Sequence, residues 1–496
     1  MTRTPPRAHV RDLFLRVLGV VFVAAFLSLL GQVLLLVGSR GLLPLRTYLH
    51  APLRFLDAPS LFWLDPGDAA LRAGAIAGIV LGVALTIGLA PRWCLVGSWA
   101  LYLSYVNAGQ EFLAFQWDNL LLETAVVALF VAPAGLRPRR APGPHPLAVF
   151  LVLWLVFRLH VESGLAKILL GDPTWRDLTA MASYYETAPL PTWLGWWAHQ
   201  MPLAAHRACS LFVYAVELVL PLLLWAPHRV RGLVFLIAAA MQLSILLTAN
   251  YGFFNYLSLA LLLFVLDDEH LAWLAARVGR TLAPVPPRVP SRPRTALLAA
   301  AVVPLLVLSP VPFLPFVRSL DGVNRELLPV RRTLGALHSV NAYHLFARMT
   351  LVRREAVIEG STDGVAWLPY ELHYKPGDPA RPPPFVAPHQ PRVDFLLWFL
   401  LLEGRPSAPY FDALLDRLLE APDVVAPLLA HDPFAGHPPR LVRVAVYRYR
   451  FTDVPTRRAT GAWWHRELEG TTRPLDATAL ARARAPGLAR ERAPGL

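Results

Sequence analysis

The sequence predicts a polytopic α-helical membrane domain of about nine spans followed by a β-rich mixed soluble domain, and three observations carry that expectation. Hydrophobic residues make up 55% of the chain and charged residues only 16%. The apolar residues fall in long blocks, which soluble chains of ordinary composition lack. Arginines gather in the connections between those blocks, and the blocks end at a proline cluster from Pro310 to Pro315.

The charge-free run from Val17 to Val37 is long enough to cross about 30 Å of hydrocarbon. It is too long for the core of a cleaved leader and no small-residue cleavage site follows, so it reads as a retained signal anchor. Further blocks run from Ala73 to Ala90, Cys94 to Gly109, Phe112 to Pro133, Pro146 to Leu170 and Ala208 to Trp225. Leu233 to Thr248, Tyr251 to Leu266 and Ala296 to Leu314 complete the set, giving a membrane domain over about residues 10–316. The Cys94, Phe112 and Tyr251 blocks are the short or polar ones.

A net charge of +13 suits nucleic acid, but the arginines sort by loop, so no nucleic-acid partner is expected. Arg3, Arg7, Arg11 and Arg16 precede the first span, and Arg92 sits in a tight turn. Arg137, Arg139 and Arg140 fill one connection, Arg229 and Arg231 another, and the stretch from Arg277 to Arg294 a third. With nine spans these five segments share one side, which the positive-inside rule makes cytoplasmic. The N-terminus is then inside and everything after Leu314 outside. The stretch from Gly38 to Arg72 fits least well, since it keeps Arg40, Arg46, Arg54 and Arg72.

Residues 317–474 read as the soluble domain. Two β-prone runs flank Asp363-Gly364, a hairpin signal. Leu441 to Thr452 alternates apolar residues with arginine, as a strand with one buried and one wet face would. Val393 to Leu402 and Tyr410 to Leu419 are helical patches, and residues 475–496 form an Ala/Arg/Pro/Gly tail expected to be disordered. No metal site or cofactor is expected: His389, His431 and His437 lack ligand spacing, and no phosphate-binding or nucleophile-elbow motif occurs. The two cysteines, Cys94 and Cys209, form no C-x-x-C, which argues against thiol chemistry.

The candidate site lies between Arg158 and Glu186. Ionisable residues cost about 2.5–3.5 kcal/mol at the centre of a membrane helix, so Arg158, Glu162 and Lys167 within one span need a reason. Arg158 and Glu162 are i,i+4 neighbours able to pair, which reads as an ion pair locking the bundle. Lys167, one turn from the outer end, either snorkels to water or, desolvated, acts as a base. Glu217 and the polar block containing Gln116, Asp118, Asn119 and Glu123 offer counter-charges. Beyond them, Trp175, Arg176, Asp177, Tyr184, Tyr185 and Glu186 lead a crowded outward segment that continues to Trp193, Trp196, Trp197 and His199. Its tryptophans suit an aromatic belt, and its interleaved charges suit an ordered cap that binds a partner.

FQWDNLLLE (Phe115 to Glu123), SGLAKILLGDPTWRDL (Ser163 to Leu178), YYETAPLPT (Tyr184 to Thr192) and NYGFFNYLSLALLLFVLDD (Asn250 to Asp268) together resemble the lipase maturation factor family. VIEGSTDGVAWLPYELHYKPGD (Val357 to Asp378) and VAPHQPRVDFLLWF (Val386 to Phe399) extend the resemblance into the soluble domain. It implies a multispanning protein whose soluble domain faces the lumen of the endoplasmic reticulum or, in a bacterium, the periplasm. It also implies secreted, lipase-like client proteins and membrane lipid as partners. The arginine-rich composition suggests GC-rich bacterial coding and hence an inner-membrane location. SGLAK (Ser163 to Lys167) followed by Trp175 also looks similar to the membrane domain of vitamin K-dependent carboxylases. On that likeness Lys167 would be the base of an intramembrane enzyme, tuned by Glu162 and Arg158.

Overall fold

A computed structural model describes residues 6–49, 55–138, 141–288, 291–402 and 408–484. Arg3, Arg54, Arg139, Arg140 and the tail from 485 lie outside the described residues. Six helices are long and apolar enough to cross a membrane: α1 (Ala8–Leu30), α2 (Asp68–Thr86), α5 (Pro146–Leu169), α6 (Leu203–Leu223), α7 (His228–Thr248) and α9 (Arg292–Phe316). The expected count of about nine is thus met for six. The other three blocks form α3 (Pro91–Ala108), α4 (Gln116–Val131) and α8 (Phe254–Val265), which fall short in length or hydropathy. They nevertheless pack alongside the long helices.

One end gathers the arginine-rich segments. Ala8, His9 and Val10 donate backbone N–H groups to Asp268 at 2.8–3.1 Å, which caps the start of α1 with a carboxylate. Arg11 reaches the carbonyls of Ala141 and Pro142, Arg92 that of Ala132, and Arg231 that of Val265. Arg288 binds the Gly143 carbonyl. Guanidinium groups therefore satisfy carbonyls at the C-terminal ends of α4 and α8 and in the connection before α5. The packing of α1 on α2 is close because Gly19 faces Gly82: a Cβ on Gly19 would lie 2.6 Å from the Thr86 nitrogen and 2.7 Å from the Gly82 carbonyl.

The opposite end carries the C-terminal domain. Its sheet has the order β2-β1-β5-β6, all antiparallel, built from β1 (Arg353–Ser361), β2 (Leu368–Pro369), β5 (Leu441–Phe451) and β6 (Trp464–Thr471). A separate ladder pairs β3 (Glu371–Leu372) with β4 (Leu429–His431). The Asp363-Gly364 turn is present: Gly364 has φ +80°, and Asp363 accepts from the N–H groups of Val365 and Ala366. The return strand β2 is only two residues long. The helical patches appear as α10 (Arg392–Leu400) and α11 (Pro409–Glu420).

Two expectations change. β5 has no wholly wet face, because Val442 and Val444 join the main core while Tyr449 and Phe451 pack with Trp464 in a second cluster. Residues 477–484, expected to be unstructured, form α12 (Ala477–Arg484), where Leu480 is buried. Its burial supplies the apolar anchor that composition alone did not reveal.

Candidate functional site

Between α9 and β1 the chain runs across the top of the helices as a strap, residues 338–349, and this strap explains the buried charges. Glu123 on α4 and Glu162 on α5 both accept from Arg158, at 2.6 and 3.0 Å. Each carboxylate then holds the strap with its second oxygen. Glu123 Oε2 accepts from the Asn341 backbone (2.9 Å), the Asn341 amide (3.1 Å) and the Tyr343 hydroxyl (2.8 Å). Glu162 Oε2 accepts from the Tyr343 backbone N–H at 2.9 Å, and Arg158 also donates to the Asn341 carbonyl. Gln116 receives the His344 N–H at 3.0 Å and Asp172 the Met349 N–H at 2.9 Å. A non-helical backbone at this depth is tolerated because side chains of the bundle satisfy its polar groups. Arg158 and Glu162 do pair, as the i,i+4 spacing allows, and both also bond the strap.

Lys167 belongs to a separate pair. Only 2% exposed, it does not snorkel. Its ammonium donates to both Glu217 oxygens (2.9 and 2.8 Å), to the Leu345 carbonyl (2.9 Å) and to the Ser163 carbonyl (3.3 Å). The face of Trp175 lies 5.0 Å away. Glu217 sits in a π-helical turn, Ala215–Val219, just before Pro221. Pro221 has no N–H to give the Glu217 carbonyl, so the regular ladder breaks there. Lys167 is thus fully bonded and charge-paired, and neither Glu162 nor Arg158 contacts it through a hydrogen bond or ion pair among the described residues. Replacing Lys167 with Met alone should lower the stability of the detergent-solubilised protein by about 3 kcal/mol, since one carboxylate is orphaned. Lys167→Met combined with Glu217→Gln should recover most of that loss in thermal unfolding.

The six outward residues do not form one site. Trp175, Tyr184 and Tyr185 are buried and line a cavity of about 170 Å³ between α5, α6 and α7. Trp175 donates to the Phe346 carbonyl at 2.8 Å and the Tyr184 and Tyr251 hydroxyls lie 3.1 Å apart. Glu186 instead accepts from the Phe451 N–H of β5 at 2.7 Å, and burial raises its carboxyl above the usual range. Arg176 and Asp177 are exposed and pair only with each other among the described residues. Nor do all the tryptophans make a belt: Trp196 is fully buried against Trp463 of the C-terminal domain.

Several contacts that dock the domain could not be read from sequence spacing. Arg392, the first residue of α10, grips Asp118 of α4 with two bonds of 2.6 and 2.8 Å, both groups being fully buried. Arg353 donates to the carbonyls of Glu186, Ala188 and Pro189, and Asn250 joins Pro384, Val386 and Ala387. Exposed Arg40 meets Asp423 of the domain at 2.9 Å. One signal was legible. The chain has only two lysines among 47 basic residues, and both are buried in ion pairs, Lys167 with Glu217 and Lys375 with Glu355. A compact ammonium fits where a planar guanidinium does not.

His338 opens the strap, its ring bonded to Asn107 at 3.2 Å, and burial pushes its imidazole down to about 4. The unfolded value is about 6.5, so the neutral ring's contribution is complete above that pH and is lost as pH falls from about 6.5 to 4. Thermal unfolding measured across that window should show a decline that His338→Gln flattens. At the basic end His228, Asp267 and His270 approach one another, with the two rings stacked at 3.7 Å. Asp267 already accepts from Arg231, Glu269 N–H and His270 N–H, which makes it a helix cap and ion-pair partner.

These features define a class: a multispanning membrane protein whose C-terminal sheet domain is bolted to one end of its bundle through buried ion pairs. The lipase maturation factor transmembrane domain matches residues 9–273, and the lipase maturation factor C-terminal domain matches residues 339–474. Lipase maturation factor 2 from Gallus gallus is 32% identical over 93% of this chain and 80% of its own length. Lipase maturation factor 1 from Mus musculus is 31% identical, covering 95% of this chain and 88% of its own length. The Homo sapiens form of lipase maturation factor 1 is also 31% identical, at 94% and 87% coverage. The chain belongs to the lipase maturation factor family. No solved structure matches it.

Proposed function

We propose that this chain is a membrane-embedded maturation factor that helps exported lipases, or proteins like them, reach their active folded form, without chemistry of its own. The observation that carries this reading is full-length similarity to proteins named lipase maturation factors, across both the bundle and the docked domain. The gathering of Arg11, Arg92, Arg231 and Arg288 at one end supports an inner membrane orientation with the N-terminus in the cytoplasm. The C-terminal domain then faces outward, where an exported client emerges, and α3, α4 and α8 complete nine passes. Exposed Arg176 and Asp177 are the polar groups offered to the client. Trp175, Tyr184 and Tyr185 act from behind them, as the wall of the cavity.

The test is co-expression of a secreted lipase with and without the chain in a host lacking it. Higher specific activity per secreted lipase molecule is expected with the chain present; equal specific activity in both hosts ends the proposal. A reporter fused after residue 484 should be active only outside the cytoplasm.

A further inference from the structure

We propose that the helix Leu328–Leu337, between the last span and the strap, lies in the bilayer surface on the C-terminal domain's side and takes phospholipid as its partner. The sequence sets the pattern. Leu327, Val330, Leu334 and Leu337 recur at intervals of three and four, which places them on one stripe of a helix. Arg331 flanks that stripe, and the helical period puts Arg332 on the opposite side. The helix contains no acidic residue.

No protein covers the stripe. The helix has no buried residue, and neither has the shorter helix before it, Asp321–Glu326. No apolar side chain from residues 318–337 joins a hydrophobic cluster of the described residues. Leu328 and Leu337 are exposed, while Leu327, Val330 and Leu334 are half-buried. Isolated helices shorter than about 12–15 residues are marginal in water, so this helix of 10 residues needs an apolar neighbour.

The two ends of the segment identify that neighbour. The chain arrives from α9, whose most apolar window is only 22% buried by protein, so α9 faces hydrocarbon. Residues 311–316, at the end of α9, contact the helix Asp321–Glu326. At the far end the Ala336 carbonyl accepts from Asn107 at 3.1 Å, and the His338 ring lies 3.2 Å from the same side chain. Asn107 stands in the last turn of α3, where the strap begins. The helix, about 15 Å long, therefore bridges the ends of two bundle helices and continues the lipid-facing surface of α9. Charge agrees. Arg331 and Arg332 are both positive, and phosphate is the anion at the bilayer surface. Long arginine stems reach headgroups while the stripe enters the acyl boundary. Arg331 also donates to Asn324 at 2.7 Å, which ties the helix to the segment before it.

The experiment puts a nitroxide on Val330→Cys, Leu334→Cys or Arg332→Cys in the full chain, with Cys94→Ala and Cys209→Ala removing the native thiols. The protein sits in phosphatidylcholine vesicles, and collisions with oxygen against a water-soluble nickel chelate read depth. Labels at 330 and 334 should lie about 5–10 Å below the headgroup surface, with the label at 332 shallower. Adding phosphatidylglycerol should deepen the first two, and Arg331→Gln with Arg332→Gln should abolish that change. Equal nickel access at all three positions places the helix in water and overturns the proposal. So does a label at 334 shielded from both oxygen and nickel, because a second copy of the chain or a client then covers the stripe. If the thiol-free background does not fold, a photoactivatable residue at 330 or 334 in the otherwise unchanged chain decides the matter. Crosslinks to phospholipid support the proposal, and crosslinks to protein overturn it.

Discussion

Arg158→Met is expected to be among the most damaging single substitutions in the bundle. It strands two buried carboxylates at once, Glu123 and Glu162, and removes the donor to the Asn341 carbonyl of the strap. Breaking one buried pair by deleting a partner costs about 3–5 kcal/mol, and here two acids are orphaned within one network. Little folded protein should survive detergent extraction in size-exclusion chromatography. Adding Glu123→Gln and Glu162→Gln to Arg158→Met should restore much of the folded peak, because the amides keep acceptors for Asn341 and Tyr343 without the unpaired charge. A single variant as stable as the parent would mean that the network does not hold the strap.

The second large effect concerns docking of the C-terminal domain. Arg392→Met should cost about 3–5 kcal/mol by leaving Asp118 buried and unpaired beneath α10. The guanidinium also donates to the Phe112 carbonyl, and Asp118 accepts from the Tyr102 hydroxyl, so α3, α4 and α10 share this junction. Because the pair joins the bundle to the domain, the expected sign is selective. Limited proteolysis should begin to cut within residues 376–391, while the transmembrane fragment stays intact. Asp118→Asn with Arg392→Met should be milder than Arg392→Met alone. Uniform cleavage across the bundle, or none in the domain, would contradict the assignment.

The same residues show how far the sequence could be read. Arg158 with Glu162 was legible because i,i+4 spacing on one helix is a local rule, and Glu217 was marked as the charge within its span. Arg392 was not, since it stands at the start of an apolar patch more than 270 positions from Asp118, and no periodicity links the two. The strap was equally hidden. Asn341 and Tyr343 look like ordinary loop residues, and only the fold delivers them to Glu123 and Glu162. Arg176 and Asp177 show the reverse error: crowding along the chain suggested a shared site with Trp175, but the turn after Pro173 sends their side chains to solvent. The π-turn at Glu217 was not read from the sequence, and its consequence for Lys167 depended on α5 lying beside α6.

Composition and hydropathy by themselves determined that the chain is membrane-embedded, where its main apolar helices lie and which connections collect at the basic end. Those properties follow from the cost of placing polar groups in hydrocarbon, which each segment meets or fails on its own. The tertiary structure alone decided which buried charges are partners, and that the C-terminal domain sits on the bundle as a docked cap. It also decided that Lys167 pairs with Glu217 at the wall of a cavity between α5, α6 and α7. Ion pairing and cavity shape depend on which helices become neighbours, and that is set by packing between segments far apart in the chain.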